Sequence, residues 1–190
     1  MRTWPLAGMF PPPRPDGVGY VHSEARPLDL THPDNDARFG VELRTVAASA
    51  RRRAGRDGDR QIDTAHLLHS LLETDPRARD ACDAGSGQVV RVLGYLAQRS
   101  IGYGLEWQGS VEDSGALPVV TARSTPGWSP AAAAAMRTAV CSAQRGGRGQ
   151  ADGIDLLNAL AADPHSRAVE VLRTAGLDVS RYLDEGPVAS

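Results

Sequence analysis

The chain of 190 residues contains no lysine, so all 21 of its basic residues are arginine. A P-loop needs its lysine to reach the nucleotide phosphates, and this absence excludes a P-loop ATPase. An apolar run of the roughly 18 residues that span a bilayer is also lacking, which argues against a membrane protein. A formal net charge of -2 supplies no global positive field for nucleic acid or an anionic membrane. We therefore expect no membrane partner, and the composition does not favour nucleic acid.

Aromatic residues make up only 5% of the chain and cysteines number two. A core short of aromatic rings must be built from Ala, Leu and Val, a composition that suits helices. Cys82 and Cys141 form no Cys-x-x-Cys pair and each falls in a helical pattern, which predicts two buried, reduced thiols and a cytoplasmic protein. Pro5, Gly8 and a proline run interrupt the first apolar stretch, so it does not have the form of a signal peptide.

Residues 1–35 are rich in Pro, Gly, Asp and Arg and show no apolar period, which predicts a disordered or loosely attached tail. From Asp36 onward an apolar row at helical spacing predicts a long helix that ends near Gly55. The row consists of Phe39, Leu43, Val46, Ala47 and Ala50.

Polar residues mark the starts of further helices. Asp63 and Asp152 each precede a short leucine-rich helix, and Ser129 followed by Pro130 begins a long alanine-rich one. The helical period breaks only in 101–128, where we expect a short β-hairpin or an ordered loop. The sequence thus predicts an all-α fold with one insertion.

The two halves of the chain repeat one pattern in the same order. Arg44-Thr45-Val46 matches Arg137-Thr138-Ala139, and Asp75-Pro76 matches Asp163-Pro164. The leucine-rich helices also match: Asp63, Leu67, Leu68 and Leu71 correspond to Asp152, Leu156, Leu157 and Leu160. A unit this small cannot cover its own apolar faces, so we expect two copies packed about a pseudo-twofold axis.

These motifs resemble the double Clp-N repeat domain at the N-terminus of the ClpA, ClpB and ClpC unfoldases. The resemblance is carried by three segments: Trp128-Ser129-Pro130-Ala131-Ala132, Thr64 through Leu72, and Val171-Leu172-Arg173-Thr174-Ala175-Gly176-Leu177-Asp178. It implies one bundle over 36–186, made of two four-helix repeats at 36–100 and 129–186 with 101–128 as the insertion.

The resemblance implies binding without chemistry, with no catalytic residue, no metal and no cofactor. In Clp unfoldases this domain recruits adaptors, substrates and, in some members, arginine-phosphorylated chains or cyclic peptide antibiotics. A copy without ATPase modules is expected to act as an adaptor, a regulator or a decoy, with Clp unfoldase or protease components or their substrates as partners. Ala65 and Ile154 stand where similar domains place the glutamates that contact phosphoarginine, so we do not expect that ligand.

We expect the peptide- or partner-binding site at the starts of the two long helices. If the pseudo-twofold axis holds, Phe39, Trp128, His32 and Arg137 come together there and line a shallow groove. A tryptophan usually packs in the core or covers small side chains, and the alternative for Trp128 is an exposed anchor for a peptide, since aromatic residues dominate binding hot spots.

Three other features of the sequence suggest a metal site, DNA binding or hydrolysis. Asp63, His66 and His69 lie three residues apart but have no evident fourth metal ligand, which favours a structural role. The basic stretch from Arg44 to Arg60 gives the alternative of a DNA-associated regulator, although Asp57 and Asp59 interrupt it. A small hydrolase is the remaining alternative, without a Gly-x-Ser-x-Gly motif to support it.

Overall fold

The computed structural model describes residues 37–83, 87–99, 112 and 127–182. Helix dominates these ranges, so the prediction of an all-α fold is confirmed. The helices are α1 (Val41–Asp57), α2 (Thr64–Thr74), α3 (Pro76–Asp83), α4 (Gln88–Gln98), α5 (Pro130–Arg145), α6 (Gly153–Ala162) and α7 (Arg167–Thr174), followed by a terminal 3-10 helix (Val179–Tyr182). Two strands of two residues, β1 (Gln61–Ile62) and β2 (Gly127–Trp128), pair in parallel. The predicted tail at 1–35 lies outside the described residues, and so does the predicted insertion at 101–128 apart from residues 112, 127 and 128.

Helix α1 differs from its predicted bounds at both ends. It runs through Gly55 to Asp57, and the left-handed φ of 73° at Gly58 closes it. At the other end Phe39 precedes the helix and forms a parallel bridge with Ala151. The N–H of Gly40 donates to the Ala151 carbonyl over 2.9 Å, and this hydrogen bond holds the chain extended before the helix begins.

The predicted helix starts are confirmed at three positions. The Asp63 carboxylate accepts the His66 N–H, and the Asp152 carboxylate accepts the N–H groups of Ile154 and Asp155. The Ser129 hydroxyl accepts the Ala132 N–H, with Pro130 in the first helical position. Each cap satisfies backbone donors that have no partner within the helix.

A single hydrophobic core draws on both halves of the chain. Helix α1 packs on α2, α5 packs on α6, and α2 and α6 also contact each other. The largest fully buried side chains are Phe39, Leu43, Ile62, Leu67, Leu68, Leu71, Leu72, Leu96, Met136, Leu156, Leu157 and Leu160. Leucine rows from α2 and α6 therefore form the centre of the molecule.

The two cysteines do not share an environment. Cys82 is buried on α3, where burial raises the pKa of its thiol. Cys141 is exposed on α5, so the prediction of two buried thiols is wrong for this residue. Among the described residues, no helix combines the length and apolarity that a membrane crossing requires.

Candidate functional site

A group of polar side chains lies at the starts of α2 and α7, where the two halves of the chain meet. We call this group the polar hub. It consists of Asp63, Thr64, His66, Arg99, Glu112, Ser129 and Arg167. Asp63, Thr64, His66, Glu112 and Ser129 are buried, so their hydrogen bonds decide whether the fold tolerates them.

Glu112 is the centre of the polar hub, and its residue is only 5% exposed. Its carboxylate accepts the backbone N–H of Thr64 at 2.9 Å and that of Arg167 at 2.7 Å. It also accepts the hydroxyls of Ser129, at 2.8 Å, and Thr64. The first amides of α2 and α7 thus share one carboxylate, which complements the positive ends of both helices.

Asp63 supplies the second carboxylate of the polar hub. Its carboxylate lies 2.5 Å from a guanidinium nitrogen of Arg99 and 2.7 Å from one of Arg167. Burial alone would raise the pKa of Asp63, but the hydrogen bond and charge of His66, together with both arginines, hold it well below its usual range. Asp63 therefore stays ionised and links α2 to α4 and α7.

The imidazole of His66 is enclosed within α2 and the α1–α2 loop. Its side chain is fully buried, with Nδ1 2.7 Å from Asp63 Oδ1 and Nε2 3.1 Å from Asp59 Oδ2. Burial lowers the pKa of His66, but the nearby carboxylates of Asp59 and Asp63 outweigh it and the pKa is raised.

The hydroxyl groups of the polar hub bind the Glu112 carboxylate and accept backbone amides at the starts of helices. Ser129 uses its hydroxyl both to donate to Glu112 and to accept the Ala132 N–H, which is a capping role. Thr64 likewise donates to Glu112 while accepting the Ala168 N–H at 3.0 Å. Each hydroxyl therefore donates one hydrogen bond and accepts another within the fold. The polar hub thus connects the two halves of the chain through buried hydrogen bonds, and we call this connection the clasp.

The structure gives the predicted binding residues different exposures. Phe39 is fully buried beside Ala151, so its prediction as a groove contact is wrong: its ring fills the core ahead of α1. Trp128 is half-buried in β2, paired with Ile62 of β1. Arg137 is exposed on α5, and His32 lies outside the described residues. Trp128 and Arg137 are the predicted contacts that a partner can reach among those described.

The basic stretch of α1 is partly neutralised. Arg53 lies 2.5 Å from Glu73 of α2, and its side chain is only 12% exposed. Asp57 and Asp59 follow at the end of the helix. These carboxylates reduce the positive charge that α1 offers to a phosphate backbone.

Sequence reasoning missed Glu112, Arg99 and Arg167. Glu112 reads as part of a turn, and it lies 48 residues from Thr64 along the chain. Arg167 lies 104 residues from Asp63. No short-range pattern signals contacts at these separations, although the buried caps at Asp63 and Ser129 were visible in the sequence.

Comparison with known proteins finds structures of similar fold but no matching family. No protein-family model and no curated protein matches the chain. Fourteen chains of solved structures are similar to it. One comes from preliminary structural investigations of a malarial protein secretion system; it has a TM-score of 0.56 at 14% identity and covers 77% of this chain and 90% of that one. A likeness at this identity shows a shared fold alone.

Proposed function

We propose that the chain is a non-enzymatic protein- or peptide-binding module of the Clp-N type. In this proposal two four-helix repeats related by a pseudo-twofold axis form the bundle. The module acts in the cytoplasm as an adaptor, a regulator or a decoy for ligands of Clp unfoldase N-domains, cyclic peptides included.

The observation that carries the proposal is a reciprocal pairing between the halves. Phe39, ahead of α1, pairs in parallel with Ala151, which precedes α6. Trp128, ahead of α5, pairs in parallel with Ile62, which precedes α2. Each long helix therefore begins beside the loop that leads into the short helix of the other half, as expected for two copies of one motif.

The packing of the helices supports the same relation. Helix α1 packs on α2 as α5 packs on α6, and α2 contacts α7 as α6 contacts α3. Helix α4 contacts α2, and the terminal 3-10 helix occupies the corresponding place on α6. In the described part of the second half this last element has four residues, against eleven in α4.

The start of α5 is the contact surface that the proposal favours. Trp128 is partly exposed there and Arg137 lies exposed two turns along the helix. Tryptophan and arginine are enriched among the residues that dominate binding energy. A partner docking on this surface would meet both.

The test is affinity capture from native cytosol with immobilised protein, followed by mass spectrometry. We expect wild type to recover Clp subunits or Clp substrates and Trp128→Ala and Arg137→Ala to recover far less. Arg145→Ala, an exposed arginine near the end of the same helix, is the matched control and should behave as wild type. Thermal melts establish that each variant is folded. Recovery of no Clp component by wild type, or equal recovery by all four proteins, would overturn the proposal.

A further inference from the structure

We propose that Asp57, Asp59 and His66 form a binding site for one transition-metal dication, with Zn²⁺ as the expected occupant. The site joins the end of α1 to the first turn of α2 and shares His66 with the polar hub. It is independent of the proposed Clp-related function.

The three side chains lie close to ligand spacing. One donor atom from each lies within 4.8 Å of the others. His66 Nε2 is 3.1 Å from Asp59 Oδ2 and 3.7 Å from Asp57 Oδ2. Atoms that bind one Zn²⁺ at about 2.0–2.2 Å and at tetrahedral or octahedral angles are about 3.0–3.5 Å apart. A small movement of Asp57 would complete the set.

The second observation is the state of the His66 ring. Its side chain is fully buried, and Nε2 makes no hydrogen bond of acceptable geometry although Asp59 lies within reach. Buried polar atoms nearly always form a hydrogen bond, so one that has only a charged neighbour and no well-aligned hydrogen bond needs an explanation. Nε2 faces the two carboxylates, and a dication between them would satisfy it.

Asp63 supplies the outer support that metal-bound histidines require. Its Oδ1 lies 2.7 Å from Nδ1 of His66. An Nδ1–H donated to this carboxylate orients the ring and leaves the Nε2 lone pair facing Asp57 and Asp59, as in carboxylate–histidine–metal groups. The other tautomer accepts the Asp63 N–H at Nδ1 over 3.2 Å. Metal binding would exchange that longer hydrogen bond for the shorter one.

The donor set favours zinc over magnesium or calcium. One imidazole nitrogen with two carboxylates suits Zn²⁺, whereas Mg²⁺ and Ca²⁺ prefer oxygen donors throughout. The side chains of Asp57 and Asp59 are 16% and 33% exposed, which gives a path for entry and room for water as a further ligand. Arg99 lies 3.6 Å from Asp59, and its charge limits the affinity.

The test uses the full chain without a histidine tag, stripped of metal by a chelator. Zn²⁺ is titrated calorimetrically, and Co²⁺ is followed by visible absorption. We expect wild type to bind one equivalent, and Asp57→Asn and Asp59→Asn each to bind at least roughly tenfold more weakly, since both keep the side-chain shape. Asp80→Asn, an exposed aspartate on α3, is the matched control and should bind as wild type.

A second readout identifies the histidine. In NMR spectra of the imidazole groups, Zn²⁺ should shift the His66 signals and leave those of exposed His165 unchanged. Absence of binding by wild type overturns the proposal, as does a wild-type affinity in both aspartate variants or a response confined to His165. None of these results depends on the capture of Clp components.

Discussion

The starts of α2 and α6 carry one local motif in two environments. Each has an aspartate cap whose third following residue reaches back to the cap, His66 behind Asp63 and Asp155 behind Asp152. The side chain of Asp63 is 2% exposed, whereas that of Asp152 is 31% exposed. The same short motif therefore lies in a buried charged network in one half and in a solvated one in the other. We expect the buried aspartate to contribute more to the free energy of unfolding.

The first helical residues differ as well. Thr64 opens α2 and binds Glu112 through its N–H and its hydroxyl. Gly153 opens α6 beneath Asp75, where a Cβ would lie 1.8 Å from a carboxylate oxygen. The start of α2 thus depends on the Glu112 carboxylate, and the start of α6 depends on a residue without a side chain.

Removing Glu112 should make the largest difference, because it leaves buried donors on Thr64, Ser129 and Arg167 without an acceptor. We expect Glu112→Ala to lower the free energy of unfolding by about 3–5 kcal/mol, measured by urea denaturation. Glu112→Gln retains one acceptor oxygen and should lose less. A loss below about 1 kcal/mol in Glu112→Ala would show that the clasp contributes little.

Exchanging the two caps for alanine compares the environments directly. Asp63→Ala strands Arg99 and Arg167 in a nearly buried setting and should cost about 3 kcal/mol. Asp152→Ala removes a solvated cap and should cost about 1 kcal/mol. Both values come from denaturant unfolding under the same conditions. Equal losses would mean that burial does not distinguish the two starts.

Adding a methyl group at Gly153 tests the close packing at α6. Asp75 holds the Arg77 and Ala78 amides at the start of α3, so its displacement has a cost. We expect Gly153→Ala to destabilise the protein by about 1–3 kcal/mol despite alanine's helix propensity. Gly94→Ala, in α4 with open space around it, is the control and should stabilise by about 0.5–1 kcal/mol. Stabilisation by both would refute the packing argument.

A smaller difference should appear with pH, because α2 has His69 where the repeat places Asn158 in α6. Burial, assisted by the charge of Arg53, lowers the pKa of His69 from 6.5 to about 4 against the opposing charge of Glu73. The unfolded chain therefore takes up a proton before the folded one. The contribution of neutral His69 to the free energy of unfolding is complete above pH 6.5 and is lost as the pH falls toward 4.

The measurement for His69 is the difference in unfolding free energy between wild type and His69→Asn. Titration of the carboxylates affects both proteins and cancels in this difference. Unfolding free energies at a series of pH values should converge or cross as the pH falls, with a relative change of at most about 3 kcal/mol. Parallel curves for the two proteins would contradict the assignment.

Local chemistry was readable from the sequence, and distant contacts were not. The caps at Asp63, Ser129 and Asp152 depend on neighbours within three residues, so short patterns located them. Phe39 was misread because an aromatic residue at a helix start looks the same whether it faces solvent or the core. Glu112 had no signal, since its partners become neighbours only after the halves pack.

The role of the polar hub as the clasp between the halves is tested most directly by hydrogen exchange at the amides of Thr64 and Arg167, whose shared acceptor is Glu112. In wild type both amides should be protected, and Glu112→Ala, which removes both acceptor oxygens, should speed exchange at both together, while the Gly146 amide at the end of α5 keeps its rate. Faster exchange at only one of the two, or unchanged exchange at both, would contradict a clasp shared by α2 and α7.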